Sequence, residues 1–129
     1  MNTEILSFEF EWYLRDYFFR ITNRNDEDFK SIFNNNEICH FMKQNYLKYK
    51  NWNMEEITKL FNIVISDLHD RDVLTVKKDT GAVMLESRFV RKQCANCYYI
   101  NYLSSSESLN CHRCKSNNLK DFPYKNRSI

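Results

Sequence analysis

Four of the five cysteines stand in two pairs, Cys94 with Cys97 and Cys111 with Cys114. Each pair encloses two residues, and 13 residues separate the pairs. A C-x2-C turn presents two sulfur atoms from one tight loop, and four thiolates complete the tetrahedral coordination that Zn²⁺ prefers. The spacing therefore predicts one structural zinc ion in a zinc ribbon. Because four protein ligands leave no position for water, we expect no catalysis at this metal.

Other uses of these cysteines remain open. In an oxidising compartment they would form two disulfides, and a [4Fe–4S] cluster takes four cysteines at a usually different spacing. His112 lies inside the second pair and would be able to replace a cysteine, although the all-cysteine set is complete without it. Cys39 lies among apolar residues far from the pairs, and we expect it to be a small buried side chain.

The first residues of the chain do not resemble a signal peptide. Glu4, Glu9 and Glu11 stand where a basic segment and an apolar run would be needed, and no stretch approaches 18 uncharged apolar residues. We therefore expect an intracellular protein without a membrane span, cytoplasmic or, in a eukaryote, nuclear. A reducing compartment favours metal ligation over disulfides.

Composition excludes several classes of enzyme. The 129 residues include one Gly and one Pro, so Gly-rich phosphate loops and dinucleotide-binding fingerprints are absent. The three histidines, His40, His69 and His112, form no recognisable nucleophile and base pair with neighbouring residues. We expect a non-enzymatic protein with no small-molecule substrate. With 43% apolar residues the chain is able to bury a core.

Hydrophobic periodicity predicts helices over residues 5–22, 26–33, 37–50 and 54–72. Asn25 is a candidate cap for the second helix, Asn34 to Asn36 are expected to break the chain, and Asn51 or Asn53 is expected to cap the fourth helix. Two short strands follow, over residues 73–77 and 82–86, joined by a turn that contains Gly81, the single glycine. This order of elements, helices followed by a β-hairpin, is that of a winged helix.

The predicted fold class is α+β, mainly α. Residues 1–88 are expected to form an aromatic-rich, winged-helix-like domain, and residues 89–129 a zinc ribbon with a short basic tail. Within the ribbon, residues 98–103 are predicted to form a strand, with residues 104–108 as the turn of a hairpin that returns through Leu109. The ribbon is too small to fold without metal, so loss of one cysteine should unfold it and leave the helical part intact.

The first predicted helix has two apolar faces. One is sufficient for an intramolecular core, and the second, which includes Phe8, Trp12 and Phe19, is assigned to a protein partner or a second copy of the chain. The alternative is that the rest of a small domain wraps this helix.

Charge is distributed unevenly. Residues 1–71 carry 9 Lys/Arg and 12 Asp/Glu, whereas residues 72–129 carry 10 Lys/Arg and 5 Asp/Glu. The C-terminal half is therefore basic, and with the ribbon tyrosines it offers cations and stacking faces to nucleic acid. The candidate nucleic-acid-binding residues are Lys77, Lys78, Arg88, Arg91, Lys92, Arg113 and Lys115. A solvated basic surface without a ligand is the alternative.

A winged helix followed by a four-cysteine ribbon resembles the alpha subunit of archaeal transcription factor E and its eukaryotic relative. The resemblance covers about residues 37–120 and rests on element order and on the four paired cysteines. It implies binding to RNA polymerase and promoter DNA. Such ribbons usually carry Gly after each C-x2-C pair, whereas this chain has Tyr98 and Lys115. The same order of elements suits small subunits that bridge proteins in bacterial or mobile-element complexes.

The sequence thus predicts a zinc-stabilised winged-helix adaptor that joins a protein partner, or a second copy, to nucleic acid in a transcription-related or DNA-related process. One alternative is a sequence-specific DNA-binding transcription regulator. Another is a purely protein-binding small subunit. The exposed side of the 54–72 helix carries Glu55, Glu56, Asp67 and Asp70 against Lys59, which disfavours major-groove reading by that helix.

Overall fold

The computed structural model describes residues 3–24 and 32–124, which form an α+β fold with three α-helices and two small antiparallel sheets. In chain order the elements are α1 Thr3–Thr22, β1 Ile32–Phe33, α2 Asn35–Asn45, a 3₁₀ turn Leu47–Tyr49, α3 Met54–Asp70, β2 Thr75–Val76, β3 Val83–Met84, β4 Val90–Cys94, β5 Ile100–Leu103 and β6 Leu119–Asp121. In these ranges no helix has the length and apolar run needed to cross a membrane.

Helix α1 confirms the first predicted helix and is central to the core. Phe10, Leu14 and Phe18 are completely buried along one side. Its last carbonyls find side-chain donors: Thr22 Oγ1 donates to Phe18 O at 2.7 Å, and Asn23 Nδ2 donates to Phe19 O at 2.8 Å. These bonds satisfy groups that every helix C-terminus leaves without an intrahelical partner.

Asparagine caps begin the other two helices. Asn34 is extended and its Oδ1 accepts from Asn36 N at 2.8 Å. The predicted break therefore lies at Asn34 alone, because Asn35 and Asn36 already belong to α2. Asn53 caps α3 in a capping box with Glu56. Of the two predicted cap candidates, Asn51 and Asn53, the structure therefore selects Asn53.

The predicted 37–50 helix is wrong at its end. α2 stops at Asn45 because Tyr46 adopts an extended conformation. Its hydroxyl donates to Asp16 Oδ2 at 2.7 Å, and its ring packs on Tyr13 with centroids 4.9 Å apart. Tertiary contacts with α1 therefore override local helix propensity here.

The first sheet has strand order β1-β3-β2, with both pairings antiparallel. The predicted 26–33 helix is wrong at Ile32 and Phe33, which form β1, while its earlier residues and the Asn25 cap lie outside the described residues. Phe33 is buried and pairs with Val83, so burial and the ladder to β3 decide its conformation.

The predicted β-hairpin is confirmed with shorter strands, β2 and β3. Gly81 has φ of 71°, the left-handed region that favours glycine. Gly81 N donates to Lys77 O at 2.7 Å, and Lys77 N donates to Ala82 O at 2.9 Å, which closes the turn.

The second sheet has strand order β5-β4-β6. The strand predicted over residues 98–103 is confirmed over Ile100–Leu103 as β5, whereas Tyr98 belongs to the first cysteine turn. The predicted hairpin partner around Leu109 is wrong. β5 pairs with β4, because the chain reverses within the first cysteine pair and brings Gln93 opposite Ile100. β6, beyond the second pair, lies on the other side of β4.

One hydrophobic cluster joins the three helices, the first sheet and the ribbon. It includes Phe89, just before β4, and Tyr102, on β5, together with the buried side of α1. The second sheet therefore packs against α1, and this contact positions the cysteine cluster beside the helical part.

Candidate metal centre

Two similar turns present the four cysteines. Tyr98 N donates to Cys94 O at 2.9 Å, and Lys115 N donates to Cys111 O at 2.9 Å. Tyr98 and Lys115 have φ of 64° and 69°, so both turns close through a left-handed residue. A left-handed residue favours glycine, whereas this chain closes both turns with larger side chains.

The four sulfur atoms converge on one point. Cys94 Sγ lies 3.5 Å from Cys114 Sγ, and Cys97 Sγ lies 3.6 Å from Cys111 Sγ. All four lie within 4.8 Å of one another. A tetrahedron with metal–sulfur bonds of about 2.3 Å has edges of about 3.8 Å. The donor set and its spacing thus fit one structural metal ion.

Backbone N–H groups of the two turns point at two of the four sulfur atoms. Asn96 N donates to Cys94 Sγ and Arg113 N donates to Cys111 Sγ, each at 3.4 Å. Burial raises the pKa of the Cys111 thiol, but the nearby backbone N–H groups of Cys114 and Arg113 outweigh burial and lower this pKa to about 6. The backbone N–H of Tyr99 lowers the pKa of the Cys97 thiol, but burial and the hydrogen bonds with the neighbouring sulfur atoms outweigh it and raise this pKa to about 12.

The remaining candidate ligands lie outside the cluster. His112 Nε2 faces Glu107 Oε2 at 3.7 Å, and His112 N donates to Asn101 Oδ1 at 2.9 Å. Cys39 is buried on α2 among core residues, as expected from the sequence. Four cysteines would fill the coordination sphere of one metal ion, and a metal held in this way is structural.

A buried ion pair that the sequence did not reveal lies beside the metal centre. Arg15, on α1, is 1% exposed, and its guanidinium binds Glu107 in a bidentate pair of 2.7 and 2.8 Å. The same guanidinium donates to Tyr102 O at 2.7 Å and pairs with Glu11 at 2.8 Å. Burial disfavours the charged Glu107 carboxylate, but Arg15 outweighs that penalty and lowers its pKa below the usual value. This network fastens α1 to the ribbon.

The aromatic face assigned to a partner is largely covered within the chain. Trp12 Nε1 donates to Ile100 O at 2.8 Å, and the Trp12 and Phe19 rings each lie 5.4 Å from the Tyr102 ring. Phe8 is 44% exposed, with its ring 6.1 Å from Tyr99. The ribbon therefore wraps Trp12 and Phe19 and leaves Phe8 accessible.

The seven basic candidates lie in three parts of the chain: the β2–β3 hairpin, β4 with Arg88 just before it, and the second cysteine turn. The three in and before β4 are held by contacts within the chain. Arg88 Nη1 donates to Thr22 O at 2.9 Å, and Lys92 pairs with Asp121 at 2.5 Å. The Arg91 guanidinium lies between the Phe19 and Phe122 rings, 4.9 and 4.1 Å from their centroids. These contacts stabilise α1 and the ribbon.

The other four basic candidates are more accessible. Lys77 and Lys78 lie at the β2–β3 hairpin, where Lys78 is exposed. Arg113 and Lys115 are exposed at the second cysteine turn, where Arg113 lies 5.8 Å from the Tyr99 ring and Lys115 Nζ donates to His112 O at 3.0 Å. The structure thus offers two separate small basic surfaces.

No protein-family model, curated protein or solved structure matches this chain.

Proposed function

We propose that the chain is a non-enzymatic, zinc-stabilised winged-helix adaptor that joins a protein partner to nucleic acid. Zinc is the metal proposed because four thiolates in a tetrahedral arrangement form a typical structural zinc site. In this account the zinc ion holds the ribbon on α1 and has no part in chemistry.

The order of elements supports the winged-helix assignment. α2 and α3 form a helix pair joined by a short turn, and the β2–β3 hairpin follows α3 directly. β1, from the segment before α2, completes the sheet beside β3. In this arrangement α3 occupies the position of a recognition helix and the hairpin that of the wing.

The observation that carries the proposal is a separation of charge between α3 and the basic surfaces. The exposed side of α3 carries Glu55, Glu56, Asp67 and Asp70 against Lys59. Phosphates repel such a surface, so α3 suits a protein partner. Nucleic acid is assigned to the hairpin lysines and to the second cysteine turn.

Fluorescence anisotropy with a labelled 20-mer, single-stranded and duplex, tests the nucleic-acid contact. We expect Lys77→Glu with Lys78→Glu, and Arg113→Glu with Lys115→Glu, each to weaken binding by about tenfold at 50 mM salt. Lys59→Glu, on α3, is the matched control and should leave binding unchanged.

Two results would contradict this assignment. Absence of binding at 50 mM salt would exclude the nucleic-acid contact, and equal binding by the charge-reversal variants would exclude these residues. Tight, sequence-selective binding at physiological salt would instead favour a transcription regulator.

A purely protein-binding subunit is the second candidate. The observation in its favour is that Arg88, Arg91 and Lys92 are held by contacts within the chain. This function requires the acidic α3 surface and no nucleic acid, so it predicts no anisotropy change even at low salt.

A further inference from the structure

A shallow apolar groove lies between the first turns of α1 and the last turns of α3. It has a volume of about 570 Å³, and its lining includes Phe8 from α1 and Ile63 from α3. Ile63 is 43% exposed, and Ile5, one turn before Phe8, is 57% exposed. Phe8 and Ile63 line the groove and Ile5 lies beside Phe8 on α1, so exposed apolar side chains are concentrated at this end of the helix.

The groove is bounded by the ribbon contacts already described. Trp12, one turn beyond Phe8, is held by its hydrogen bond to Ile100 O, whereas Phe8 is only partly covered by Tyr99. The free part of the α1 aromatic face thus begins where the ribbon ends. From Thr3 to Glu11 this part measures about 13 Å at 1.5 Å per residue, which matches two to three turns of a helix laid along it.

The charged groups around the groove are mostly acidic. Its lining contains the carboxylates Glu4, Glu11 and Asp67 and one cation, Arg71. Arg71 is already engaged by two of these carboxylates, with Glu11 at 2.6 Å and Asp67 at 2.7 Å. The lining contains no lysine, so its net charge is negative.

We propose that this groove binds a basic amphipathic helix of a partner protein. Apolar side chains of that helix would cover Phe8 and Ile63, and its lysines or arginines would face the acidic lining at Asp67. Charge complementarity selects this occupant over an acidic or neutral helix. The inference rests on the proposed binding of a protein partner and is independent of nucleic-acid binding.

A synthetic 14-residue Leu/Lys amphipathic peptide is the probe, with a Leu/Glu peptide of the same apolar pattern as control. Calorimetry on the full chain should detect the Leu/Lys peptide and no binding of the Leu/Glu peptide. Phe8→Ser with Ile63→Ser should weaken binding by about tenfold. Leu109→Ser is the apolar control, because Leu109 is 56% exposed and lies in the loop before the second cysteine turn.

Asp67→Lys tests the charge argument separately and does not remove apolar contacts. It should weaken binding of the Leu/Lys peptide by about tenfold, whereas Asp79→Lys, in the exposed hairpin turn, should leave it unchanged. Metal content and circular dichroism establish that each variant is folded.

Several outcomes would overturn the proposal. These are absence of Leu/Lys binding, equal binding of the Leu/Glu peptide, or equal effects of the groove and control variants. Sedimentation that shows a dimer converted to monomer by Phe8→Ser with Ile63→Ser would identify a second copy as the occupant instead. If the anisotropy experiment fails while the peptide result holds, the nucleic-acid function is wrong and the groove assignment stands.

Discussion

Lys115 closes the second cysteine turn in a left-handed conformation, with φ of 69°. This conformation costs a non-glycine residue about 1 to 2 kcal/mol, which exceeds the extra chain entropy that glycine adds to the unfolded state. We therefore expect Lys115→Gly to raise the free energy of unfolding by about 0.5 to 1 kcal/mol, measured by chemical denaturation of the metal-loaded protein.

Lys120→Gly is the matched control, because Lys120 lies in β6 and glycine weakens a strand. It should lower the free energy of unfolding by about 0.5 to 1 kcal/mol. If both variants were destabilised equally, the left-handed backbone at Lys115 would not be a source of strain.

Arg15 and Glu107 form a buried pair whose loss should be severe. Arg15→Met leaves the Glu107 carboxylate, with its side chain 13% exposed, without its main partner. We expect Arg15→Met to lower the free energy of unfolding by about 3 to 5 kcal/mol. The double variant Arg15→Met with Glu107→Gln should recover part of this loss, because no buried charge then lacks its partner.

Denaturation of the single and double variants measures this coupling. Lys92→Met, which breaks a pair with the 91% exposed Asp121 side chain, should cost far less, because water screens an exposed ion pair. A similar cost for Arg15→Met and Lys92→Met would contradict the anchoring role of Arg15.

Residue types revealed the metal ligands but not this anchor. The cysteine pairs are local motifs whose spacing is typical of tetrahedral coordination, so the sequence alone was sufficient to predict that the four cysteines lie together. Arg15 and Glu107 are 92 residues apart, and each looks like an ordinary surface charge in the sequence. The packing of β5 on α1 buries these two side chains, and no local sequence pattern predicts that packing.

At the scale of elements, the β2–β3 hairpin depends on Gly81. A Cβ at Gly81 would have Asn35 Nδ2 at 3.5 Å as its nearest neighbour, an ordinary contact, so space is not limiting. Its φ of 71° is the constraint. Gly81→Ala should therefore lower the free energy of unfolding by about 1 to 2 kcal/mol in thermal denaturation.

Asparagine tolerates this conformation better than alanine. Gly81→Asn should therefore be less destabilised than Gly81→Ala. The reverse order would place the constraint in side-chain packing rather than in the backbone.

Long helices were more predictable than short strands for a physical reason. α1 and α3 repeat their apolar positions over many turns, and Asn53 with Glu56 marks the start of α3. β1 has two residues, too few for a period, and its conformation is decided by pairing with β3. The end of α2 depends on Tyr46 reaching Asp16, a contact 30 residues away in sequence.

At the scale of the whole molecule, the ribbon and the helices share one core. The sequence predicts a helical part that survives loss of the metal, whereas Arg15, Trp12 and Tyr102 link the two parts in the structure. We expect chelation of the metal to lower the midpoint temperature of helix unfolding, as measured by far-ultraviolet circular dichroism. Chelation should also expose Trp12. An unchanged helix transition after complete metal removal would show that the two parts are independent.

Native mass spectrometry with metal analysis of the purified chain tests whether the four paired cysteines hold one zinc ion. We expect one zinc ion per chain, retained by Cys39→Ser and lost or strongly weakened in Cys97→Ser. A folded chain that carries no metal, two disulfides among the paired cysteines, or full zinc content in Cys97→Ser would contradict it.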